Sequence, residues 1–226
     1  MKIAIIVAMA KELALLLPLL SGETNIEIAG KTFYQGTVGN HEVVVMQCGI
    51  GKVNAAMGTT LLISNFHPDC VINTGVAGGG DLSVSVMDIV AASQVAYHDV
   101  WCGPESELGR VQGLPLYYDC DSALLAALPN HPNLKKGLIC SGDQFIDNIE
   151  QVKRIKSIFP QALALDMESG AIAQVCHVQH VPFLSLRVIS DSPGASHNNT
   201  QQYTDFWESA PQQTFEVVRT LIHNLK

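Results

Sequence analysis

Charge is scarce in this chain. Only 15% of its 226 residues are Asp, Glu, Lys or Arg, and 13 Lys+Arg face 21 Asp+Glu for a net of −8 at pH 7. That sign excludes a sequence-wide affinity for phosphate backbones, so nucleic acid is not an expected partner. A run of 18 apolar residues able to cross a bilayer is also missing, and no membrane association is expected. The N-terminus comes nearest, with Lys2 before one apolar stretch and residues 13–20 forming another. Lys11 and Glu12 divide the two where a signal peptide needs an unbroken core. The six cysteines contain no C-x-x-C pair, which removes support for a zinc or redox motif. A chain of this length does not need disulfide staples, so six reduced thiols in a cytoplasmic protein are expected. No Pro/Gly/Ser linker, repeat or low-complexity run divides the sequence, and one domain over residues 1–226 is expected. What is present is apolar: 47% hydrophobic residues exclude disorder. Size scaling lets about 70% of the extended chain's surface be buried in a single core.

The order of hydrophobic runs predicts an α/β protein. Residues 2–8, 69–74, 88–97, 137–141, 162–166 and 183–189 read as buried strands. Residues 24–29, 32–38 and 42–47 are short β runs, with a hairpin turn at Gly39-Asn40. Helices are expected over 9–20, 52–65, near 121–128, over 148–158, 167–178 and 203–225, with 98–118 irregular. Strands alternating with helices imply a mixed, mostly parallel central sheet flanked by helices.

Gly49-Ile50-Gly51-Lys52 invites two cofactor readings, and both fail on spacing. A P-loop needs glycine where Met46 stands and Ser or Thr where Val53 stands; a dinucleotide fingerprint needs glycine where Asn54 stands. A helix N-terminus with free N–H groups remains, suited to a hydroxyl, a phosphate or a carboxylate, or to plain turn chemistry. The glycines of Asn73-Thr74-Gly75-Val76-Ala77-Gly78-Gly79-Gly80 follow a buried strand, at the sheet edge where ligands bind in open α/β folds. Glu12, the pair Asp166 and Glu168, and Asp191 after Ser190 all lie just beyond strand ends. Singly, each is a solvated or helix-terminal carboxylate. Together they offer one ionised base and one protonated acid. His177 and His180 lie three apart with no third ligand at metal spacing, so no metal is expected. Asn198-Asn199-Thr200 is a glycosylation sequon by pattern alone, and Trp101 and Trp207 are core, interface or ligand contacts.

Read together, MKIAIIVAMAKE, GIGKVNAA, INTGVAGG, YHD, SGDQFI, FPQALALDME and RVISD resemble, in order, the 5′-methylthioadenosine/S-adenosylhomocysteine nucleosidases over about residues 1–191. The resemblance implies a phosphorylase-like fold, a homodimer, no cofactor, and hydrolysis of the adenine–ribose bond of adenosines carrying a 5′-thio substituent. It implies that Asp191 is the acid that protonates adenine N7, steadied by Ser190, and that Glu12 positions and deprotonates the attacking water. Glu168 would grip the ribose hydroxyls, Phe145 would stack on adenine and the Ile146 backbone would read its edge. Met9, Ile50 and Met167 would wall the ribose and thioether, and Arg187 would sit near the water. Tyr203 would take the place of an aromatic cap.

Three departures stand out. Val76 replaces the family's usual serine, Asp166 replaces glutamate, and the stretch 191–202 carries a short insertion. The irregular 98–118 segment, which would shape the 5′ pocket and the dimer contact, also differs. A divergent second copy of the enzyme fits these departures. Three alternatives stay open: a nucleoside phosphorylase, an aminodeoxyfutalosine nucleosidase, and a catalytically weak adenine-nucleoside binding protein for which Val76 is the support.

Overall fold

A computed structural model describes residues 1–192, 199–209 and 215–226. Strand β1 (Lys2–Val7) is apolar and buried beyond its first residue, so it needs cover on both faces. It takes an interior place, with β4 (His41–Gln47) parallel on one side and β5 (Cys70–Gly79) parallel on the other. Beyond β4, β3 (Lys31–Val38) and β2 (Ser21–Ile28) continue antiparallel, and Gly39 takes φ 58° at the turn between β3 and β4.

On the other side the sheet closes on itself. β10 (Phe183–Asp191) runs parallel to β5, β6 (Ile89–Tyr97) antiparallel to β10, and β8 (Leu134–Ser141) parallel to β6. β9 (Ala162–Asp166) is parallel to β8 and returns to the far end of β5 through Gly78 opposite Leu165 and Gly79 opposite Ala164. The two-residue β7 (Tyr118–Asp119) pairs with β6. β5 thus has three partner strands, and its ring with β10, β6, β8 and β9 is barrel-like while the protein remains α/β with a mixed sheet.

Seven helices are described: α1 (Ala10–Leu16), α2 (Lys52–Phe66), α3 (Ser122–Ala126), α4 (Ile149–Ile158), α5 (Ser169–Gln179), α6 (Asn199–Ser209) and α7 (Glu216–Asn224). Asp121 caps α3 by accepting from the N–H groups of Ala123 and Leu124, and Asn148 caps α4 through that of Gln151. α2 buries Ala55, Thr59, Leu62, Ile63 and Phe66, one stripe at helical spacing. Ile3, Ile5, Leu16, Ile72, Ile139 and Ile172 are all but sealed from solvent, each worth about 1.5–3 kcal/mol of burial. All six cysteines are free, and only Cys102 is exposed.

The structure corrects the expected boundaries at three places. The first helix gives way after Leu16 to a 3-10 turn, Leu17–Leu19, because Pro18 cannot donate in a helix interior. β5 continues through Gly75 and Gly79 instead of stopping at Thr74. One closing helix over 203–225 is replaced by α6 and α7, with Pro211 between them in the sequence. The expected insertion falls largely on residues 193–198, outside the described residues.

Candidate active site

The ends of β1, β5, β9 and β10 converge on one cleft. β1 runs into it with Met9 and Glu12, β5 with Val76, β9 with Met167 and Glu168, and β10 with Ser190 and Asp191. Ile50, Phe145, Ile146 and Tyr203 complete the wall, so segments far apart in sequence meet here.

Glu12, in the first turn of α1, is buried. Its Oε2 accepts the N–H groups of Ala8 and Met9, each at 2.9 Å, and its Oε1 accepts that of Val76 at 3.1 Å. Burial pushes its carboxyl up, while Arg187 and these three donors pull it back without cancelling the rise. A Cβ at Gly75 would stand 2.4 Å from Glu12 Oε1 and 2.6 Å from Arg187 Nη1, so a glycine is what lets both groups approach β5.

Glu168 is buried at the head of α5. Its Oε1 accepts the N–H of Gly51 at 3.0 Å, and its Oε2 stands 3.6 Å from Arg187 Nη2. Burial pushes this carboxyl up to about 7, against the pull of Arg187 and with the nearby Asp166 adding to the rise.

Asp191, at the end of β10, accepts the Ser190 hydroxyl on Oδ1 at 2.6 Å and the Asn199 amide on Oδ2 at 2.7 Å. Burial raises it, and those two donors act in the opposite sense. Tyr203 meets Phe145 edge-on with ring centroids 5.8 Å apart and meets Trp207 at 6.3 Å. Its hydroxyl donates to Met9 Sδ at 3.3 Å.

Arg187, expected beside the attacking water, does not line the cleft. It is fully buried behind the wall, with Nε 2.7 Å from Asp166 Oδ2 and Nη2 donating to Asn73 Oδ1 at 2.7 Å. A guanidinium sealed from water needs such partners. The departure Asp166 therefore has a role: it neutralises Arg187. Residues 98–118 do not line the cleft within this chain either. Instead Asp99 holds Lys52 by an ion pair of 2.8 Å.

At Val76 the missing hydroxyl leaves the backbone donation to Glu12 intact, because that bond comes from the N–H. Asn199 is a group that sequence reasoning misses. Its only sequence signal is the sequon, which says nothing of a carboxyl eight residues earlier. Asn73, Ser169 and Ser185 around Arg187 are missed too, although a charged residue inside the apolar β10 run signals that buried partners exist. His177 packs edge-on against Tyr118 and His180 ends α5, and no metal-holding group of three ligand side chains occurs among the described residues.

Known proteins resemble this chain along nearly all of its length. A family profile described as the phosphorylase superfamily matches residues 2–223. The 5′-methylthioadenosine/S-adenosylhomocysteine nucleosidase of Staphylococcus haemolyticus is 41% identical, with 97% of this chain and 98% of that protein covered. The S-adenosylhomocysteine nucleosidase of Streptococcus pyogenes, solved with 5-methylthiotubericidin, superposes with a TM-score of 0.94 at 35% identity, covering 100% of this chain and 98% of that one. The Colwellia psychrerythraea nucleosidase, solved with adenine, gives 0.93 at 38% identity, covering 100% and 96%. The fold is that of the phosphorylase superfamily. Within that superfamily the chain belongs to the 5′-methylthioadenosine/S-adenosylhomocysteine nucleosidases.

Proposed function

We propose that the chain hydrolyses the N-glycosidic bond of 5′-methylthioadenosine and S-adenosylhomocysteine, releasing adenine and the 5-thio-substituted ribose. The carrying observation is the contrast between two buried carboxyls in one cleft. Glu12 is surrounded by three N–H donors and the charge of Arg187, whereas no cation among the described residues offsets the burial of Asp191. Environments that differ in this way divide base from acid. Asp191 gives its proton to adenine N7 as the glycosidic bond breaks, so the base leaves neutral. Glu12 takes a proton from the water that adds to C1′. The ribose gains positive charge in between, as in glycoside hydrolysis.

Glu168 accepts the ribose hydroxyls and faces that charge. Phe145 stacks on the purine with Tyr203 as the aromatic cap beside it, Ile146 presents its backbone to the purine edge, and Met9, Ile50, Val76 and Met167 supply apolar wall to sugar and thioether. Arg187 acts from behind by fixing Glu168 and favouring ionised Glu12. Phosphate is disfavoured as the nucleophile. No Lys, Arg or His is among the described residues of the cleft wall, and a phosphate dianion would meet Glu12, Glu168 and Asp191 instead.

A second copy of the chain is the expected partner. Val53 and Met57 on α2, with Ile50 before it and Trp101, are exposed apolar side chains suited to burial in a homodimer. Six free thiols, with Cys102 exposed, suit a reducing cytoplasm.

Adenine release from methylthioadenosine, followed with and without phosphate, tests the reaction. Release without phosphate and free 5-methylthioribose are expected; a strict need for phosphate would overturn Glu12 as the water's base.

A further inference from the structure

We propose that Asn199 is a positioning residue for the acid: its amide holds one oxygen of the Asp191 carboxyl and ties it to the Ile146 backbone. The geometry is direct. Asn199 Nδ2 lies 2.7 Å from Asp191 Oδ2 and 3.4 Å from the Ile146 carbonyl oxygen, and the residue is only 5% exposed. Its Oδ1 has no partner among the described residues, so the amide is oriented by the two acceptors that Nδ2 faces. Turned over, the amide would set oxygen against oxygen at an ionised Asp191. Asn199 begins α6, and Tyr203 lies one helical turn further along the same face. One helix therefore carries both a hold on the acid and the aromatic cap. The end of β10 is tied to that helix again, through the Ser192 N–H donating to Gln202 Oε1 at 3.0 Å.

The inference rests on Asp191 as the acid and gives the step a second support. As the Asp191 O–H bond breaks, an N–H bond forms at adenine N7 and the electrons of the glycosidic bond pass to the purine. Negative charge is left on the carboxylate. The Ser190 hydroxyl is already on Oδ1 and the Asn199 amide on Oδ2, so both oxygens meet a donor without rearrangement. The other groups facing Asp191 among the described residues do not donate to it: Tyr203 from α6 has its hydroxyl on Met9, and Glu12 and Glu168 stand on the wall of the same cleft. Loss of the Asn199 donor makes Asp191 a weaker acid. It also moves upward the pH at which activity is lost through its ionisation.

The experiment is the pH profile of kcat for Asn199→Leu and Asn199→Ala beside the parent protein and Asp191→Asn. Asn199→Leu keeps much of the side chain's shape, removes the donor without adding a charge, and carries the test where Asn199→Ala fails to fold. Expected are a fall in kcat of about tenfold, an upward shift of the high-pH limb by about one unit, and KM within about twofold. A loss equal at every pH, or a limb that stays in place, would overturn the role of Asn199. Turnover retained by Asp191→Asn would overturn the acid itself. An inactive Asp191→Asn beside unshifted Asn199 variants would overturn only the inference about Asn199.

Discussion

Glu12, Glu168 and Asp191 pay in stability for standing ready, since each is a buried acid held above the ordinary carboxylate range. The folded protein binds their protons more tightly than the unfolded chain does. Their contribution to stability is therefore full below the unfolded value and lost as pH rises through the folded one. For Glu168 that window runs from its ordinary 4.5 to about 7. Asp81, held down to about 2 by Lys156, titrates outside that window. The melting temperature of the ligand-free protein should fall between pH 4.5 and 7, and Glu168→Gln should flatten that fall. An equally steep fall in the variant would remove Glu168 as its source. The three acids are legible in the sequence because each lies at or within five residues of the end of an apolar strand run. The pairing of Arg187 with Asp166 is not, since it depends on β9 and β10 delivering side chains to one buried point. Nor is Asn199, which meets Asp191 only because α6 packs against β10.

At the scale of elements, the N-terminus of α2 shows how one segment completes another. Its N-cap is Gly51, which has no side chain to offer, and the N–H of Lys52 is taken by Asp143 at 2.8 Å. The Asp143 N–H donates to Asp99 Oδ2 at 2.8 Å, and Asp99 in turn holds Lys52. This link joins the Gly49–Gly51 turn to the segment bearing Phe145, so both sides of the cleft mouth share it. Asp143→Ala should cost about 1 kcal/mol of stability, as loss of a cap does, read from thermal unfolding. It should also raise KM more than it lowers kcat, because Ile50 and Phe145 lose their common anchor. Apolar runs make most strands legible. The extension of β5 is hidden because glycines that signal a loop serve here as a close approach for Glu12 and Arg187. The division between α6 and α7 is hidden because an apolar periodicity continues on both sides of Pro211.

The whole molecule leaves an apolar set in the open: Val53 is 78% exposed and Trp101 60%. Surfaces of this kind mark association when they group together. If this face joins two copies as proposed, Val53→Asp should elute as a monomer on size-exclusion chromatography where the parent elutes as a dimer; an unchanged elution volume would remove this face as the contact. The single-domain α/β plan is readable from the alternation of runs. The closure of the sheet is not, because no local pattern states that β9 returns to β5. That closure also bears on how the protein comes into being. The cleft needs β1 from the beginning of the chain and β10 from near its end, with Asn73 and Arg187 joined across a separation of 114 residues. Contacts so distant in sequence form late and slowly. During synthesis, Glu12, Glu168 and Asp191 come together only once β10 has emerged and docked. Until then Asn73 and Asp166 await their cation, and the growing chain holds pieces of an enzyme without any of its catalysis.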